Sequence, residues 1–99
     1  INCGENSYYG GQFENCEKLT NVTLKKIASI ENSMFTYCSK LIYIDAPKVI
    51  SIETIAFYEC ISLYNITFPE VKYIGDFAFY GNVKIKSLNL PSVKELDEL

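Results

Sequence analysis

The sequence predicts an α/β-type solenoid: a right-handed stack of short coils, with a parallel β-sheet on the concave face and a mostly irregular, short-helical convex side. Three observations carry this. Apolar residues recur at a fixed step of 22 along the 99 residues, each step holds a Leu-x-x-Val/Ile-x-Leu segment, and a proline follows that segment at Pro47, Pro69 and Pro91. A fixed step of this size marks stacked units that cannot bury their apolar faces alone.

The step is visible in eight columns. Phe13, Phe35, Phe57 and Phe79 form one, and Cys16, Cys38, Cys60 and Asn82 a second. Leu19, Leu41, Leu63 and Ile85 lead into Val22, Ile44, Ile66 and Leu88, then Leu24, Ala46, Phe68 and Leu90. The prolines share a column with Lys25; Ile27, Val49, Val71, Val93 and Ile30, Ile52, Ile74, Leu96 complete the set. Twenty-two residues are too few for a propeller blade or a two-helix repeat and match the leucine-rich repeat range.

Within a unit, the alternation around Val22, Ile44, Ile66 and Leu88 predicts one short strand per coil, with these residues facing inward. Proline ends the strand because it brings no N–H to the ladder. The chain then returns across the coil through Val-x-x-Ile. At Met34-Phe35, Ala56-Phe57 and Ala78-Phe79, a small or flexible residue beside a large ring predicts a tight, partly helical corner with the rings stacked from coil to coil. About four and a half coils at ~4.8 Å each give a stack roughly 22 Å long. The expected organisation is one solenoid over residues 1–99. The opening Ile-Asn-Cys and a break before the next Ala-Phe corner suggest a piece of a longer array.

Composition narrows the function. Nine lysines, no arginine and twelve acidic residues give a net charge of −3, which disfavours a phosphate-backbone binder. The chain has no histidine and no tryptophan, so the commonest general base and zinc ligand are missing. No catalytic residue, metal ligand or cofactor is predicted. Apolar runs such as Leu41-Ile42-Tyr43-Ile44 are far short of the roughly 20 residues of a membrane span.

Ile74-Gly75-x-x-Ala78-Phe79 and Ala56-Phe57-x-x-Cys60-x-x-Leu63-x-x-Ile66-x-Phe68-Pro69-x-Val71 resemble the BspA-type leucine-rich repeats. The resemblance extends over residues 13–96. Lys25 in place of proline, Asn82 in place of cysteine and a single glycine at Gly75 depart from that pattern. The resemblance implies a cell-surface or secreted, non-enzymatic adhesion or ligand-binding protein of bacteria or parasitic protists, its partner a host-cell or matrix protein.

Outward strand positions are the surface a solenoid offers to partners. Ile42, Tyr43, Asp45, Tyr64, Asn65 and Thr67 form the candidate binding patch, because tyrosine gives large contact area at small entropy cost. Tyrosine is also simply a good strand residue. Asn21-Val22-Thr23 and Asn65-Ile66-Thr67 match the N-glycosylation pattern at Asn21 and Asn65. The column of Cys16, Cys38 and Cys60 reads as buried thiols, with a bridge between Cys3 and Cys16 left open. Lys94 to Leu99 looks faintly like an endoplasmic-reticulum retention signal, but Leu96 continues the Ile30/Ile52/Ile74 column and reads as the start of another coil. Two functional readings remain: a protein-binding or adhesion module, and a structural spacer or accessory domain with no ligand on its strand face. Ends without polar caps predict self-association.

Overall fold

The computed structural model describes residues 11–85 and the backbone pairing of Glu95–Leu96. Cys3, Leu88, Leu90, Pro91 and Val93, for which the sequence carries expectations, lie outside these residues. Two parallel sheets run along the stack. The first joins β1 (Asn21–Thr23), β3 (Tyr43–Asp45) and β5 (Asn65–Thr67); the second joins β2 (Ser29–Ile30), β4 (Ser51–Ile52), β6 (Tyr73–Ile74) and β7 (Glu95–Leu96).

Register follows the sequence step. Val22 pairs with Ile44 and Ile44 with Ile66 in the first sheet. Ile30, Ile52, Ile74 and Leu96 align in the second, so Leu96 does open another coil in the predicted column. The second sheet corrects the expectation of one strand per coil. Its members are two residues long, too short for an alternating pattern to reveal them.

Pro47 ends its strand by way of a turn. The Val49 amide donates to the Ala46 carbonyl across it, and Val71 does the same to Phe68 around Pro69. Proline's fixed φ suits the first inner position of such a turn, where no amide is needed.

The corner differs from the short helix expected there. Among the described residues it is a run of turns, 32–37, 54–59 and 76–81, with no helix. Alternate amides serve different partners. Met34, Thr36 and Cys38 donate within the coil to Glu31, Ser33 and Phe35, while Ser33, Phe35 and Tyr37 donate to Thr54, Ala56 and Tyr58 of the next coil. Two columns per coil take left-handed backbone angles: Ser33, Ile55 and Phe77 (φ 55, 50 and 56°), then Asn15, Tyr37, Glu59 and Gly81 (φ 63, 63, 59 and 83°). A helix would direct its amide bonds along its own coil; this path turns alternate amides toward the next coil, forming a third ladder.

The core lies between these ladders. Phe35 and Phe57 are fully buried, and the rings of Phe13, Phe35, Phe57 and Phe79 stack at centroid steps of 5.4, 5.3 and 5.3 Å. Leu41, Ile44, Val49, Ile52, Leu63, Val71 and Ile74 are fully buried around them. In the first coil Leu19, Val22, Leu24 and Ile27 are only partly buried.

Candidate functional site

The residues expected to form a binding patch lie on or beside the first sheet. Parallel register places Asn21, Tyr43 and Asn65 in one row and Thr23, Asp45 and Thr67 in the next. Adjacent strands bring neighbours in a row to about 5 Å. Ile42 and Tyr64 occupy equivalent positions just before β3 and β5, 37% and 59% exposed, large values for apolar and aromatic side chains. Asn65 and Thr67 are exposed, and Tyr43 and Asp45 are half-buried. All six residues therefore lie on, or one position before, two paired strands, and each is at least partly exposed.

Tyr43 and Asp45 sit two apart on one strand and so point to the same side. Partial desolvation and the Asp45 charge raise the Tyr43 pKa above its ordinary value, so the ring stays a neutral donor. The two sequon asparagines, Asn21 and Asn65, are both exposed on this face.

The cysteine column divides in two. Cys38 and Cys60 are buried free thiols, as the repeat predicts. Cys16 is buried too but disulfide-bonded, which corrects the free thiol expected there; Cys3 lies outside the described residues. The column also has a task that sequence reading missed. The Cys38 thiol donates to the Phe13 carbonyl (3.1 Å) and the Cys60 thiol to the Phe35 carbonyl (3.0 Å). Asn82 takes over the role, donating through Nδ2 to Phe57 (3.1 Å) and Cys60 (3.0 Å). Each phenylalanine carbonyl thus receives a second donor from the next coil. Burial pushes the Cys38 thiol up to about 11, with the Glu14 carboxylate adding to the rise, and drives Cys60 higher still.

A second surface, on the turn side, was legible only in Tyr58 and Tyr80, which stand 22 apart. Tyr58 stacks on Tyr80 at 5.3 Å, Tyr37 meets Tyr58 edge-on at 5.8 Å, and Phe77 meets Tyr80 edge-on at 5.6 Å. Among the described residues no group of three His, Cys, Asp or Glu side chains is placed to hold a metal ion, and no helix is long and apolar enough to cross a membrane.

Short parallel coils with outward aromatic and polar columns define a repeat solenoid of the kind that meets other proteins through its surface. The chain belongs to the BspA-type leucine-rich repeat family: that family's repeat region matches it in six copies over residues 9–98. Such proteins are generally non-enzymatic interaction modules and typically surface-associated or secreted. No curated protein and no solved structure matches the chain.

Proposed function

We propose that this chain is a protein-binding or adhesion module of a surface or secreted repeat protein, and that it engages a host-cell or matrix protein through Ile42, Tyr43, Asp45, Tyr64, Asn65 and Thr67. The supporting observation is the exposure of Tyr64 and Ile42 beside the strand that carries Tyr43 and Asp45. Aromatic anchors ringed by polar groups are the usual makings of a binding hot spot. Residues 1–99 act as one repeat solenoid.

The test is the double variant Tyr43→Ala/Tyr64→Ala on cells or matrix-coated surfaces, with a thermal melt as control. Loss of more than about 2 kcal/mol of attachment with the fold retained is the expected outcome. Full attachment by a folded double variant would favour the spacer reading. That reading draws its support from the unbroken hydrogen-bond ladders, which make the stack a stiff connector by themselves. Glycans on Asn21 or Asn65 would cover the patch, so enzymatic deglycosylation should raise attachment in a host that adds them.

A further inference from the structure

On the turn side, a shallow groove of about 300 Å³ crosses the first three coils, lined by Asn15, Glu17, Tyr37, Ser39, Glu59 and Ile61. Its walls are two columns of the repeat. Asn15, Tyr37 and Glu59 all adopt left-handed backbone angles, so the same local geometry projects all three. Glu17, Ser39 and Ile61 follow two residues later in each coil. The groove lies in a different part of the coil from the strand-face patch.

Its chemistry is uneven. The acidic residues stand diagonally, Glu17 in the first coil on one wall and Glu59 in the third on the other, its carboxylate lying against Gly81 of the fourth coil. Between them lies Tyr37, 37% exposed and braced edge-on by Tyr58 at 5.8 Å. Ile61 supplies an apolar surface, and no cationic residue lines the groove. Two coil steps separate the carboxylates' backbones by about 10 Å, within reach of a long cationic side chain lying along the groove. Anions are disfavoured by both carboxylates. Two acids without further hard ligands are a poor cage for a divalent metal.

We propose that this groove receives an arginine side chain from an extended segment of a partner protein. The planar guanidinium can lie against the Tyr37 ring while its N–H groups donate to Glu17 or Glu59, and its methylene stem packs on Ile61. An ammonium is a compact point charge without the flat face or the fork. The volume is at the lower end of ligand pockets and suits a single side chain. Because these 99 residues contain no arginine, a second copy of them cannot supply the occupant.

The probe is acetyl-Gly-Gly-Arg-Gly-Gly-amide, titrated into the 99-residue chain at low salt while amide NMR shifts are followed. Saturable shifts should centre on Asn15, Tyr37 and Glu59, with β3 and β5 unmoved. Glu17→Gln/Glu59→Gln should weaken the response at least about fivefold, as should raising the salt to about 0.5 M. A peptide with neutral citrulline in place of arginine should give no saturable response, and the lysine peptide a weaker one. The proposal is overturned by the absence of saturable shifts in the groove, by an equal response to citrulline, or by an equal response to lysine. The citrulline and lysine arms use the unaltered chain, so they hold even if a variant folds poorly. Shifts confined to β3 and β5 would also overturn it while leaving the strand-face reading intact.

Discussion

At the level of single residues, the buried thiols couple folding to alkaline pH. Burial favours the neutral S–H, which also donates to a phenylalanine carbonyl. The folded chain keeps the Cys38 proton up to about 11, whereas an unfolded thiol releases it near 8.5. Raised folded values mean that the stabilisation is complete below about pH 8.5 and is lost as pH climbs through that window. We expect denaturation midpoints to fall between pH 8.5 and 10.5, by up to about 1.4 kcal/mol per pH unit for each thiol. Cys38→Ala should flatten that slope; an unchanged slope would show that the thiol is not the titrating group. Asn82 shows the limit of reading the column as small apolar filler. Its amide reproduces the donor but leaves Oδ1 buried without a partner, a cost the thiol avoids.

Secondary-structure elements register how much the 22-residue step reveals. It locates inward positions well: Ile44, Ile52, Phe57 and Leu63 are all fully buried, because identical coils can stack only by superposing identical faces. Phe57 lies between Phe35 and Phe79 and also touches Phe68 at 5.9 Å. Phe57→Ala should therefore cost about 3 to 5 kcal/mol by chemical denaturation, and an unshifted midpoint would mean that the column is no core. The corner was less legible. Left-handed angles fall on Ile55 and Phe77, whose side chains give no turn signal, and in the other column only Asn15 and Gly81 are residue types that favour the conformation. Small residues beside phenylalanine thus read as a helix that inter-coil bonding forbids. The groove was invisible for another reason, since its six side chains come from three coils and converge only after stacking. Gly75 marks a further close approach: a methyl group there would sit 2.8 Å from the Thr54 backbone nitrogen in the preceding coil. Gly75→Ala should cost about 1 to 3 kcal/mol by forcing those coils apart, and a stability equal to that of the parent chain would show that the coils can yield.

For the molecule as a whole, the direction of the three hydrogen-bond ladders matters more than their number. Every rung, from Leu24 to Asp45, from Phe35 to Ala56 or from Gly75 to Ile52, joins one coil to the next along the stacking axis. A pull applied at the two chain ends therefore loads the rungs lengthwise and in sequence, peeling a terminal coil before its neighbour feels the strain. Sheets pulled along their strands must instead break many bonds together. Each 22-residue coil should release on the order of 70 Å of slack as it opens, giving low, evenly spaced force steps in single-molecule stretching; one abrupt high-force rupture would contradict this. The Cys16 disulfide would alter the first of these steps until it is reduced. Tethered at a surface under flow, such a stack would pay out chain gradually, so that the load on a bound partner rises slowly and the attachment outlasts a brief tug.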